Sequence, residues 1–403
     1  MIAARGASLM HERGERLRLG ALFFLHAQAA GMWGLAMSNV LRTHGLERIV
    51  PYTFACAAVA AMISPLMLGS LADQHIPANR LLRWLAIGTA LFLALTSLAI
   101  ERGWGVWGVL PFLQMQSLCA APMWGITTTI ILARLREPDR EFGPIRVWGT
   151  IGFMAGGWIT SFVLLADSST RAGFAASVLW LGIAAFSLTL PEVPPLGVGA
   201  ARSWRDVLGL PALALLAHRD HRVVFLTAAL FSAPLAAFFP FAALHLGDVG
   251  VQKIAAAFSL GQSTEIIAMY GLSGLLKRVR LKWIFLTGIG FGAVRFGLFA
   301  LDTKIALLAG IALHGLCYTL FFITAQLYLE KRIDPQLRAR AQALLTLMTA
   351  GLGTLAGSVA CDWWRIACRT GTLTDWPHFW LGLTAVVLAV FVFFAAAYRG
   401  VRE

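Results

Sequence analysis

Twelve predominantly apolar stretches, each long enough to cross a bilayer as a helix of about 20 residues, follow one another along this sequence. They run Leu19–Leu41, Val50–Ala72, Leu81–Ile100, Trp104–Leu132, Pro144–Leu165, Ala172–Leu190, Val223–Leu246, Ile254–Leu276, Trp283–Leu301, Ile305–Leu329, Ala341–Trp363 and Phe379–Ala397. Hydrocarbon offers the backbone no hydrogen bonds, so such stretches must satisfy their own as helices. The expected fold class is an all-α membrane protein with twelve transmembrane helices. Only 13% of the 403 residues are charged, against about 25% in soluble domains. Spans four and ten are long enough to tilt.

The net charge of +13 would suit a nucleic-acid binder if the basic residues clustered on a soluble surface. They instead alternate by loop. One side of the membrane collects 23 of the 33 lysines and arginines, the other 8, and Arg146 and Arg295 fall inside spans. Basic loops stay cytoplasmic, so both termini are expected there, in a multi-pass inner-membrane protein with no nucleic-acid partner. Arg5 to Arg18 mixes arginines with Glu12 and Glu15, and the apolar run behind it is too long for a cleavable signal.

The longest hydrophilic segment, Pro191 to Arg222, splits the spans six and six. The expected units are an N-terminal bundle (1–190), a cytoplasmic linker (191–222) and a C-terminal bundle (223–403). Pro191, Pro194 and Pro195 end the sixth helix, and Ser203 could cap a short amphipathic helix starting at Trp204. Two pseudo-symmetric six-helix bundles around a midplane site resemble the major facilitator fold. Gly69 and Asp73, with Arg80 following, resemble that superfamily's gating loop between spans two and three. Its counterpart, Gly274-Leu275-Leu276-Lys277-Arg278-Val279-Arg280, keeps the basic residues and lacks the acid.

Glu265 is the one acid placed deep in a span, and an ionised carboxylate there costs several kcal/mol unless it serves a function. Gln262 precedes it by one helical turn. Arg146, Thr150 and Phe153 share a face of span five. Gly149, Gly152, Gly156 and Gly157 around them would let another helix approach closely. Arg295 interrupts span nine, and His314 and Tyr318 lie four apart on span ten. His26, Gln28 and Trp33 are further candidates in span one. Bland alternatives exist: Arg146 could snorkel to headgroups, His314 could bond a carbonyl, and Phe153 and Tyr318 could simply pack. Together, though, Glu265, Arg295, Arg146 and His314 are expected to converge on a wet cavity, because unpaired charges inside a bundle are expensive. A desolvated carboxylate holds its proton more tightly and an approaching cation loosens it, which is the switch that proton coupling needs. His314 could relay or sense the proton.

Other chemistries find no footing. The five cysteines (Cys56, Cys119, Cys317, Cys361, Cys368) have no metal-site spacing; Cys361 and Cys368 could pair, but small buried residues is the simpler reading. His11-Glu12 has no second histidine at protease spacing, and no Gly-x-Ser-x-Gly or ATP-binding loop occurs. Neither an enzyme nor a bound cofactor is expected; the energy source would be a proton gradient.

Five segments carry a more specific likeness. They are Gly143-Pro144-Ile145-Arg146-Val147-Trp148-Gly149-Thr150-Ile151-Gly152-Phe153, Gln262-Ser263-Thr264-Glu265, Leu313-His314-Gly315-Leu316-Cys317-Tyr318, Tyr328-Leu329-Glu330-Lys331 and Thr374-Asp375-Trp376. Through them nearly the whole chain resembles the nucleoside/proton symporter family of the major facilitator superfamily. The resemblance implies a nucleoside site lined by Arg146, Thr150, Phe153, Gln262, Glu265, His314 and Tyr318. More distantly the chain is similar to the lactose permease family, and by that analogy Glu265, Arg295 and His314 form the proton-coupling network. That family has a carboxylate one turn after the histidine, where this chain has Cys317, so Glu265 would serve both proton and substrate. Two departures bear on specificity. Pro234 to Ala243 offers alanine and phenylalanine where the nucleoside family has amides, and Thr319 stands where an Asp is common.

The expected function is therefore secondary active symport of a nucleoside with protons, by a chain working as a monomer in the lipid bilayer. The alternatives are a proton symporter for another small polar ring compound, such as a sugar or an aromatic acid, or a non-transporting membrane sensor. Drug efflux would favour acids in the N-terminal spans, and there are none.

Overall fold

The computed structural model describes residues 2–74, 76–193, 203–371 and 373–400; the side chains of 2–13, 65–74 and 138–139 lie outside that description. Within the described residues the chain forms twelve long helical segments. Span one is Ile2–Thr43, span two Val50–Gln74, span three Ala78–Glu101 and span four Gly105–Leu132. Span five covers 138–163 and span six Arg171–Thr189. Span seven is Arg219–Asp248, eight covers 254–278, and nine is Leu281–Phe299. Spans ten to twelve are Lys304–Arg332, Pro335–Ala367 and Trp376–Ala397. Nine of them are, over their described residues, long and apolar enough to cross a membrane. The other three are span two, partly outside the description, and spans five and eight, which carry Arg146 and Glu265.

Local sequence explains the helix ends and breaks. The side chains of Thr303, Asp334 and Asp375 accept the first free backbone N–H groups of spans ten, eleven and twelve, with Pro335 at the first helical position of span eleven. Span four bends at Ala121–Pro122, and span seven breaks after Pro234. Span five begins at Pro138 and runs through Pro144, the expected start. Wide π turns interrupt spans five (Ile159–Val163), ten (Thr319–Ile323) and eleven (Leu347–Gly353); such turns are common at functional sites. The helix expected after Ser203 is a single turn, Trp204–Val207, capped by the Ser203 hydroxyl. Gly209 ends it at φ +70, pressed against the backbone of Arg340 and Leu344 where no side chain fits. The cysteines are all free thiols.

The packing repeats with a period of six helices. Span one lies along five and seven along eleven. Three packs on six as nine packs on twelve, and two on four as eight on ten. Across the middle, two meets eleven as eight meets five. Adding six to each member reproduces every pairing, which is the signature of two related bundles. Lipid tails are as apolar as leucine, so close packing rather than hydrophobic burial holds such helices together. Spans one and five show it: a Cβ on Gly152 would strike the Phe24 carbonyl, and one on Gly156 the Gln28 carbonyl.

The bonds between the bundles are lopsided. Asn39 donates to the Ala243 carbonyl (3.1 Å), Arg42 to Asp248 (2.6 Å), and Arg365 and Arg369 to Glu47 (2.8 and 2.9 Å). Lys253 donates to the Ser161 carbonyl (2.8 Å), the Ala255 N–H to Asp167 (2.7 Å) and Trp158 to Ser259 (3.1 Å). All lie toward the end remote from the linker. Among the described residues no hydrogen bond or ion pair joins spans one to six directly to spans seven to twelve at the linker end; there Arg340 pairs with Asp206 of the linker itself (2.9 Å).

Candidate functional site

Span eight reaches the interface through glycine. A Cβ on Gly315 of span ten would overlap the backbone of Gly261 and Glu265, so the two helices touch backbone to backbone there. Thr264 adds a hydrogen bond to the Ala312 carbonyl. This contact fixes where Glu265 starts from. Its carboxylate is partly exposed, forms no ion pair within 4 Å among the described residues, and faces Arg146 and Tyr318 electrostatically.

Arg146 comes from the other bundle. Its guanidinium lies over the rings of Trp124 (4.5 Å) and Phe23 (5.7 Å), an arrangement worth about 0.5–2 kcal/mol depending on desolvation. That platform, rather than a lipid headgroup, holds it. Trp124 and Phe23 were not among the expected site residues; the bend at Pro122 in span four is the sequence feature that turns Trp124 inward. Thr150, one turn further along span five, is buried, and Phe153 packs partly buried against the core.

Arg295 and His314 form a second group. Arg295 is fully buried and its Nη1 meets Nδ1 of His314 at 2.7 Å. Phe238 lies under both, 4.2 Å from the guanidinium and 4.3 Å from the imidazole, nearly parallel to the latter. Phe296 covers the guanidinium again at 4.7 Å. Nε and Nη2 of Arg295 find no acceptor. Thus the expected trio of Glu265, Arg295 and His314 divides. Glu265 lies within electrostatic reach of Arg146, while Arg295 and His314 are packed together with Phe238, from the stretch where the resemblance implied amides.

Tyr318 bridges the two groups. Its ring is 6.0 Å from that of His314, and its phenol lies in the fields of both Glu265 and Arg146. Gln262 is buried with its Oε1 unpartnered, an acceptor whose desolvation costs about 1–3 kcal/mol if nothing occupies it. His26 bonds Thr127 (3.1 Å) between the rings of Trp124 and Trp180, a packing role, and Trp33 is buried with its N–H unpartnered. Gln28 is half-buried and forms no recorded bond. Of the loop motif, Gly69 and Asp73 lie in the helical end of span two, where side chains are outside the description; Arg80 pairs with Glu192 (2.7 Å) on an exposed surface. No group of three or more histidine, cysteine or acidic side chains among the described residues could hold a metal.

A cation from one bundle is thus within electrostatic reach of an acid and a phenol from the other, with aromatic rings around it and an orphaned amide one turn before the acid on span eight. That set can hydrogen-bond and stack a polar ring while exchanging a proton. Comparison with known proteins identifies the family. A family model described as Nucleoside H+ symporter matches residues 14–403. YegT of Escherichia coli (strain K12) is 34% identical over 355 residues, covering 84% of this chain and 82% of that protein. The nucleoside permease NupG of the same organism is 28% identical over 421 residues, 96% of this chain and 97% of its own. The crystal structure of the nucleoside transporter NupG, 25% identical, superposes with a TM-score of 0.82 over 95% of this chain and 99% of that one.

Proposed function

Because the chain belongs to the nucleoside/proton symporter family, we infer that it imports nucleosides with protons by alternating access between its two bundles. It is a multi-pass secondary transporter and not an enzyme. The observation that carries the site reading is that Arg146 of one bundle and Glu265 and Tyr318 of the other lie within electrostatic reach of one another across the interface, without an ion pair. Glu265 takes the proton. Its release follows when Arg146 approaches unshielded, because a nearby cation favours the carboxylate. Bound nucleoside separates the two, its sugar hydroxyls and base edge taking Arg146, Thr150 and the open Oε1 of Gln262, and its ring stacking with Phe153 or Tyr318. Proton and substrate then favour the same state together. Arg295 and His314 support that surface from behind.

The excess of basic residues in the loops supports a cytoplasmic linker face and cytoplasmic termini; on that reading the bonds remote from the linker close the outer end and the site opens inward. The moving units are 1–190 and 223–403, with 191–222 between them, and a single copy in the inner membrane suffices, since both bundles are on one chain. No cofactor enters; the gradient drives the cycle.

Uptake by purified protein in liposomes tests the proton role. Glu265→Gln should lose accumulation driven by a pH gradient while keeping nucleoside exchange; full accumulation by that variant would remove the acid from the mechanism. Thermal shifts with uridine, adenosine, sugars and aromatic acids test the substrate. A shift with sugars or aromatic acids alone would transfer the same machinery to another ring compound, an outcome that Phe238 in place of an amide makes worth measuring.

A further inference from the structure

The loop between spans eight and nine repeats the basic residues of the loop between two and three without its acid. In the structure this loop and the end of span ten enclose a cleft of about 160 Å³. Leu276, Val279, Leu281 and Leu327 form its wall, and Lys331 and Arg332 stand on its rim. Val279 is exposed, as is Trp283 at the start of span nine, so the wall continues onto the outer surface of the helices. An exposed indole there marks the depth where bilayer interfaces collect tryptophan.

The charge around the cleft is unbalanced. Lys277, Arg278, Arg280 and Lys331 form no ion pair with any described residue. Among the described residues two neighbouring acids are committed elsewhere: Glu330 to Arg338 (3.1 Å), and Asp220 to the backbone N–H groups of Arg399 and Gly400 (3.1 and 2.9 Å). Lys282 is satisfied by the Ala395 carbonyl (2.7 Å). An apolar slot opening toward lipid, with cations at its polar end, matches one kind of molecule.

We propose that this cleft binds an anionic phospholipid of the surrounding bilayer, its phosphate among the rim cations and the first carbons of an acyl chain along the leucine wall. A free phosphate would leave the wall unused, and a zwitterionic lipid would bring its own cation into a basic cluster. Basic pockets between helices at this face of a membrane suit anionic headgroups, and each lysine or arginine near the surface contributes about fivefold in affinity.

Native mass spectrometry of the full chain in detergent tests this, with titrations of phosphatidylglycerol, phosphatidylcholine and glycerol 3-phosphate. Phosphatidylglycerol should be retained at least tenfold better than the other two, by the loss or mismatch of roughly two favourable contacts. Lys331→Gln combined with Arg278→Gln should weaken it about 25-fold, with melting temperature reporting that the variant is folded. Leu276→Trp, which fills the wall and keeps every charge, should also weaken it and serves if the double variant does not fold. Equal retention of phosphatidylcholine, glycerol 3-phosphate binding as well as the lipid, or undiminished lipid binding by the folded variants would each overturn the proposal. Nucleoside uptake is not read, so the result is independent of the transport reading.

Discussion

Arg295 of span nine donates from Nη1 to Nδ1 of His314 on span ten at 2.7 Å. A guanidinium has only donors, so His314 supplies its lone pair at Nδ1 and carries its single proton on Nε2. The imidazole is thereby held neutral beside a fixed cation, with Phe238 stacked beneath both. On the proposed mechanism, this arrangement makes His314 a brace and leaves the exchange of the proton to Glu265.

Substitution at His314 should separate those roles. Gln offers an amide oxygen to Arg295, so His314→Gln is expected to keep the pH profile of uptake and melt within a few degrees of the parent. His314→Leu removes the acceptor and leaves a buried guanidinium unpartnered, at a cost of about 3 kcal/mol. Melting temperature and uptake between pH 5 and 8 check both. A flattened profile in a well-folded His314→Gln would return the histidine to the proton path.

The backbone contact between spans eight and ten gives a second expectation. A Cβ at position 315 would sit 2.6 Å from the Glu265 Cα, and neither backbone can yield. Gly315→Ala should destabilise by about 1–3 kcal/mol and lower uptake at least tenfold, because it displaces the carboxylate proposed to carry the proton. Gly297→Ala is the control, since nothing lies within 4 Å of the added carbon, and it should transport normally.

How far the sequence reveals this site depends on what each residue needs from its neighbours. Glu265 and Arg146 are legible because a charge in hydrocarbon is expensive wherever it points. The span-five glycines are legible because their spacing is a helix-contact pattern, and span one does lie against them. The partner of each charge is not legible. Whether Arg295 meets Glu265 or His314 depends on helix rotation, and Phe238, an apolar residue with no chemical signal of its own, stacks against Arg295 and His314. Trp124 is hidden for a similar reason: its role depends on the bend at Pro122. The bonds at the end remote from the linker join residues about 90 to 320 positions apart, a relation that no local pattern encodes.

Those bonds should set the resting conformation. Glu47 accepts from Arg365 and Arg369, and Arg365, buried with its guanidinium over the Phe241 ring, also holds Asp362 (3.0 Å). Glu47 is about a third exposed, so its pair contributes at most about 1 kcal/mol. Glu47→Gln should then raise the rate at which a cysteine at Ser38, buried in span one, is labelled, by up to about fivefold, with melting unchanged. Arg365→Ala differs, because it strands the buried Asp362 and should cost about 3–5 kcal/mol. Labelling of Ser38→Cys on a background without the native cysteines reads the first, and thermal melting the second. No change in labelling would mean that other contacts hold that end shut.

The linker offers a prediction with a defined pH sign. The Asp206 carboxyl is held below its ordinary value of 3.8, first by the Ser203 hydroxyl that donates to it (2.8 Å), and also by Arg340. A carboxylate whose value is depressed in the folded state contributes its full stabilisation above the ordinary value, and loses it as pH falls through the depressed one. A spin label on Leu208→Cys, one turn beyond the cap, should therefore stay restricted from neutral pH down past 3.8 and mobilise only below that. Asp206→Asn should mobilise it at pH 7. Arg340→Gln should move the transition upward, toward the ordinary carboxylate value, while the Ser203 bond persists. A transition in the parent protein at or above 3.8 would show that the linker is anchored by contacts other than this carboxylate.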